Sequence, residues 1–283
     1  MDCHLHHASG ARATIAQAGA ELRALHLGGR DLLWDAGPLW PRCAPLLFPI
    51  VGALAGDTLR HRGVNYTLPK HGFARDLNFE AETLTTTACT LSLTECPATL
   101  VAYPFPFRLS VTYTLAATSL RMDLALANPG PEPLPASLGL HPAFRWPLAP
   151  GLPKAAHRLV FAAPEPGPLR RINAQGLLTE VAHPTPITDR SLPLREALFE
   201  DDALIFLEPQ SRSLRFEVPD GPALSLAWEG FPHRACGPSP TSAPASSASN
   251  PGKATPAPPT GTARSARNPA ASYWPPEPND SGA

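Results

Sequence analysis

The chain has no block of lysine and arginine, no long apolar run and no paired-cysteine pattern. Each absence removes a class of function. With 23 basic against 24 acidic side chains, the formal net charge is -1 at pH 7. The electrostatic footprint of a nucleic-acid or anionic-membrane binder is therefore missing. A membrane-spanning helix needs about 20 consecutive apolar residues, and no stretch supplies them. The opening, Met1-Asp2-Cys3-His4-Leu5-His6-His7, lacks the basic-then-apolar layout of a secretory leader, so the expected location is the cytoplasm. Cys3, Cys43, Cys89, Cys96 and Cys236 are scattered and form no C-x-x-C pair, which argues against a disulfide framework or a zinc knuckle. His4, His6 and His7 could gather a metal adventitiously, but a frayed terminus is the simpler expectation. No metal and no cofactor is expected.

Helical periodicity is scarce too. Ala18–Leu25 has a helix-like spacing, but its flanking glycines leave little room for one. Alternation is abundant instead. Leu109, Val111, Tyr113 and Leu115 interleave with Arg108, Ser110, Thr112 and Thr114, and Leu120, Met122, Leu124 and Leu126 repeat the pattern after a short turn. This predicts an antiparallel hairpin with one apolar face. Leu214-Arg215-Phe216-Glu217-Val218 and Leu224-Ser225-Leu226-Ala227-Trp228, joined through Pro219-Asp220-Gly221, predict another. Further strands are expected around 12–15, 91–94 and 159–161, with Cys89 as a small buried hydrophobe. The class is all-β, with sheets packed as a sandwich.

Character changes near His233. From Cys236 to Ala283 there is not one Leu, Ile, Val, Phe or Met. Such a segment cannot bury enough apolar surface to offset its ordering entropy. The expected organisation is a β domain over 1–233 and a disordered Pro/Ala/Ser-rich tail over 234–283.

Two motifs carry the chemistry: His71-Gly72-Phe73-Ala74-Arg75 and Gly139-Leu140-His141-Pro142-Ala143-Phe144. Each sets an imidazole among turn-forming residues and an aromatic ring. Histidine is suited to proton transfer near neutral pH, and a guanidinium can grip hydroxyls or an anion. A lone histidine beside a proline is ordinarily structural; two such motifs, each flanked by strand-like sequence, argue for the lip of a pocket.

Taken in order across nearly all of 12–233, the chain resembles the aldose 1-epimerase (mutarotase) family, in its bacterial LacX-like and hexose-6-phosphate epimerase-like branch. The matching segments are Gly19-Ala20-Glu21-Leu22, Asp31-Leu32-Leu33-Trp34, Pro45-Leu46-Leu47-Phe48-Pro49-Ile50-Val51-Gly52, His71–Arg75, Tyr103-Pro104-Phe105-Pro106-Phe107, Asn128, Gly139–Phe144 and Phe199-Glu200-Asp201-Asp202-Ala203-Leu204. The resemblance implies an antiparallel β-supersandwich whose concave face binds a sugar, either an aldohexose or a hexose phosphate. It implies interconversion of α and β anomers by general acid–base ring opening, without cofactor or metal. On the matching positions, His141 would protonate the ring oxygen, and His71 would hydrogen-bond the sugar and steady developing charge. Arg75 and Asp202, or its neighbour Asp201, would hold hydroxyls. Phe144 and Trp146 would offer apolar surface to the sugar or else belong to the core.

The chain departs from the family at two places. Ala53 stands where an arginine is frequent, leaving Arg60 or Arg62 as substitutes. The family's glutamate base, in a Glu-Pro-Trp segment near the C-terminus, has no counterpart after Phe231; Glu208-Pro209 comes too early and Glu277 lies in the polar tail. Shifting the reading frame would permit Leu-Trp-Thr-Lys-Pro-Asp across 235–241 and Gln-Pro-Trp-Gln-Gly across 249–254. The tail is thus read either as out-of-frame translation or as a genuine linker. The corresponding alternatives in function are a sugar epimerase impaired by loss of its base and a non-catalytic sugar-binding module. A third reading leaves both histidine motifs as structural corners.

Overall fold

Alternation becomes strand almost everywhere it was expected. The computed structural model describes residues 2–38 and 40–237 and the backbone of Ser272–Trp274. The first sheet joins β1 (Cys3–His6), β2 (Arg12–Ile15), β3 (Leu22–Leu27) and β4 (Arg30–Asp31) in sequence order, all antiparallel. The segment Cys3–His6 is not frayed: Cys3 and Leu5 point into the core, so His4 and His6 are held on the outer face of a paired strand. The helix-like spacing at 18–25 gives way to the turn before β3, because Gly19 and Ala20 take positive φ there.

Next come β5 (Leu46–Leu47) and the hairpin β6 (Thr58–His61) and β7 (Val64–Thr67). The second large sheet holds β8 (Glu80–Leu84), β9 (Ala88–Thr94), β10 (Arg108–Leu115) and β11 (Leu120–Ala127), in the order β11-β10-β9-β8. Leu109, Val111, Tyr113 and Leu115 are at most 2 % exposed, and each such side chain contributes about 1.5–3 kcal/mol by leaving water. The helix α1 (Pro97–Ala102) was not legible as periodicity; proline at its start and a Cys96 N–H donated to Thr99 Oγ1 (2.9 Å) begin it.

Short strands β12 (Leu134–Ala136) and β13 (Gly139–Leu140) lead to the second half of the molecule, β13 pairing with β5. There β14 (Arg158–Phe161), β15 (Ser191–Pro193), β17 (Ser213–Glu217) and β18 (Ala223–Ala227) form a sheet in the order β15-β14-β17-β18. Between β15 and β17 lies β16 (Leu204–Phe206), which pairs with β19 (Arg234–Cys236). The expected boundary at 233 is therefore passed by a strand, and a second one, β20 (Ser272–Trp274), pairs with β12. The rest of the expected tail, with its frame-shifted reading and Glu277, lies outside the described residues.

Two apolar cores result. One is built from residues 3–136, around Leu5, Phe48, Leu91, Phe107 and Val111; the other from Trp146 to Phe216, around Phe161, Leu192, Leu204 and Phe206. Phe144 and Leu224 pack against both. The site residues come from the seam where the halves meet. Among the described residues no helix is long and apolar enough to cross a membrane.

Candidate active site

His71 follows the hairpin β6–β7 on a loop whose shape is dictated by glycine and a close backbone approach. Its backbone N–H donates to the Gly52 carbonyl (2.8 Å), and the Gly52 N–H donates back to His71 Nδ1 (3.0 Å). An acceptor Nδ1 leaves the proton of a neutral ring on Nε2. Burial, aided by the charges of Arg75 and Lys70 and by His141, pushes the His71 pKa down to about 3. At neutral pH this side chain is thus a fixed hydrogen-bond donor. Gly72 makes the geometry possible: at φ +68° a Cβ would stand 2.2 Å from the Phe48 carbonyl oxygen. Phe73 then anchors the loop edge-on against Phe48, with ring centroids 6.0 Å apart.

Arg75 lies in the short 3-10 turn Ala74–Asp76. It donates to the Lys70 carbonyl (2.8 Å), and its buried Nε stands 3.6 Å from Asp76 Oδ2 without a hydrogen bond. Arg42 braces the same turn, donating to the Arg75 carbonyl (3.1 Å) and to Asp76 Oδ1 (2.5 Å).

His141 leaves β13 with its N–H donated to the Pro45 carbonyl (3.1 Å) and its ring 5.3 Å from that of Trp40. The residue as a whole reaches solvent, while protein crowds around its imidazole. Burial lowers its pKa; Arg75 and Lys70 act in the same direction, against its own backbone hydrogen bond and Asp202. Its support reaches back to Glu21, whose buried carboxylate accepts the N–H groups of Cys43 (2.6 Å) and Ala44 (3.0 Å) just before Pro45. Sequence reasoning missed that role, although Glu21 stood within a quoted motif.

The second half contributes the segment 198–202. Arg171 ties it down, donating to the carbonyls of Leu198 (3.0 Å), Asp201 (3.3 Å) and Asp202 (2.7 Å). Asp202 has φ +64°, and its Oδ1 accepts the Ala203 N–H at 2.7 Å. Asp201 and Asp202, with Glu200, Asn173 and Lys70, line a cleft of about 330 Å³. Lys70 links the halves: its ammonium and terminal carbons lie within 3.6 Å of the Cβ position at Gly176. It was absent from the expected site, as was Asn173; neither sits in a pattern that marks a function.

Phe144 is half-buried at the seam and bridges to Leu33. Trp146 is 8 % exposed, donates its indole N–H to the Lys154 carbonyl (2.9 Å) and packs edge-on to Phe199, so of its two expected roles the structure places it in the core. Asn128 closes a turn with Gly130 and Glu132. Arg62 is paired with Glu132, and Arg60 and Glu208 are exposed. Among the described residues no group of His, Cys, Asp and Glu is arranged to hold a metal ion.

Comparison with known proteins gives a consistent answer. The profile of the family described as aldose 1-epimerase matches residues 1–236. The chromosomal protein LacX of Lactococcus lactis subsp. lactis is 30 % identical over 215 residues, 72 % of each chain. A galactose mutarotase related enzyme from Lactobacillus acidophilus has 28 % identity and a TM-score of 0.75, over 83 % of this chain and 79 % of its own. A galactose mutarotase-like protein from Lactobacillus casei has 26 % identity and a TM-score of 0.76, over 86 % and 85 %.

Proposed function

Because this chain belongs to the aldose 1-epimerase family, a family of carbohydrate epimerases, we propose that it interconverts the α and β anomers of an aldose by general acid–base ring opening. The observation that carries the reading is the meeting of His71, His141, Arg75 and Lys70 from one half with Asp202 from the other. Both imidazoles feel the charges of Arg75 and Lys70, His141 also feels that of Asp202, and Lys70 and Asp202 line one cleft.

Anomer exchange needs a proton delivered to the ring oxygen as the C1 hydroxyl gives one up, here to solvent water because no glutamate follows Phe231 in the family's segment; the ring opens, the C1 carbonyl rotates, and the transfers reverse. His141 is the acid for the ring oxygen. A lowered pKa makes it a better donor but reduces the charged fraction at neutral pH, so its share of the work grows as pH falls. His71 donates from Nε2 to the oxygen that gains charge, and its depressed pKa keeps it a neutral donor. Arg75 and Asp202 orient hydroxyls, with Asp201 beside Asp202 along its cleft. The partner is a small sugar, an aldohexose or a hexose phosphate, and the site of action is the cytoplasm.

The missing Glu-Pro-Trp segment favours a second reading, sugar binding without turnover. An epimerase lacking its base would be slowed by about 10²–10⁴. One experiment separates the two: anomer exchange of a freshly dissolved aldose by polarimetry or NMR, alongside a binding titration. Exchange faster than the solvent rate, lost in His141→Ala, supports the enzyme. Saturable binding without acceleration supports the binding module.

A further inference from the structure

Each large sheet ends in a pair of outer strands, and nearly all of them carry residues that discourage further pairing. β1 presents His4 and His6, β4 Arg30 and Asp31, β8 Glu80 and Glu82, β11 Arg121 and Asp123, and β15 ends in Pro193. Charge and proline are the usual guards of an open edge. β18 has none: it reads Ala223-Leu224-Ser225-Leu226-Ala227, and among the described residues nothing pairs with its outer side.

The hydrogen-bond parity tells which groups face outward. The Val218 N–H donates to the Pro222 carbonyl and the Trp228 N–H to the Arg212 carbonyl, both at 3.0 Å. Even-numbered residues of β18 therefore bond to β17, and the N–H and C=O groups of Ala223, Ser225 and Ala227 turn to the open side. Those same residues are exposed and small, while Leu224 and Leu226 are half-buried on the other face.

We propose that β18 is a self-pairing edge, on which a second copy of this chain docks its own β18 antiparallel across a two-fold axis through Ser225. A two-fold contact sets residue i opposite j and j opposite i, and because the strand reads identically in both directions, small residues meet small ones and leucine meets leucine. Ala223 then faces the partner's Ala227, and Leu224 faces the partner's Leu226. This register pairs all the outward-turned residues with one another. An axis on Leu224 or Leu226 would strand one outward alanine beyond the pairing, and an axis between residues would oppose outward to inward groups. The contact merges two four-stranded sheets into one and covers Leu224 and Leu226.

The test is the mass of the full chain by light scattering at tens of micromolar, with Ser225→Pro and Ser225→Lys beside it. Proline removes only an outward N–H, so the β17–β18 ladder survives; lysine sets like charges together at the axis. Wild type at twice the 30.0 kDa chain mass, with both variants folded at single mass, supports the proposal. A wild type at single mass, or variants that still double, overturns it. Should the variants fail to fold, amide exchange of the wild type decides. Slower exchange at Ala223, Ser225 and Ala227 on concentration supports self-pairing; unchanged exchange overturns it.

Discussion

His71 shows how one side chain can be held in a single protonation state by its backbone. The Gly52 N–H fills Nδ1, and burial disfavours the cation. Its ring resonances should stay those of a neutral, Nε2-protonated imidazole down to about pH 3 in an NMR titration. A titration near 6.5 would break the account. The stability consequence has a definite sign. Below 6.5 the unfolded chain binds a proton that the folded one refuses, so His71 subtracts stability increasingly as pH falls from 6.5 toward 3. His71→Asn tolerates the positive φ of 69°, and should flatten part of that acid loss in melts at pH 4 against pH 7 while slowing anomer exchange. At Gly72, alanine meets the Phe48 carbonyl at 2.2 Å in a left-handed backbone. Gly72→Ala should lose about 1–3 kcal/mol or more in denaturant unfolding. The histidine motifs were legible as residue types, but this rigidity was not, because its cause is a loop nineteen residues upstream.

At the scale of elements, alternation and turn chemistry carried most of the fold. The hairpin of β10 and β11 is found where the alternating leucines put it, and that of β17 and β18 within a residue. The N-terminal histidines were misjudged because pairing to β2, a tertiary fact, ordered a segment that composition alone suggested was frayed. Loops that hold the site were the least legible. Glu21 looked like part of a hairpin, yet it anchors the N–H groups of Cys43 and Ala44 ahead of the carbonyl that fixes His141. Glu21→Ala leaves those donors unsatisfied and should cost about 1–3 kcal/mol of stability together with a fall in turnover; calorimetry and the exchange assay read the two. Arg171 was invisible for a similar reason, since its partners are carbonyls scattered over 198–202. Loosening that segment by Arg171→Ala should raise KM roughly tenfold, equivalent to about 1.4 kcal/mol of lost order, with little effect on the His71 titration. An unchanged KM would remove the segment from the site.

For the whole molecule, the relevant fact is that the proposed acid, His141, and Asp202, whose charge acts on it, belong to different halves. His141 and His71 ride on the first, Asp202 on the second, and Phe144 packs against both. Nothing in local sequence announces such a seam; it emerges only when the sheets are folded. Phe144→Ala should therefore weaken stability by about 2–3 kcal/mol, less than a fully buried phenylalanine, and depress turnover more than its distance from the polar groups would suggest. The family resemblance spans both cores, as does the match over residues 1–236, so the chemistry proposed here depends on the two halves meeting. The most direct test is the rate of α-to-β exchange of an aldose by saturation-transfer NMR, for the full chain and for His141→Ala. We predict acceleration above the solvent rate by the wild type and a loss of about 10²–10⁴ of it in the variant. Equal acceleration by both proteins would contradict the assignment of His141 as the acid, and with it the central claim.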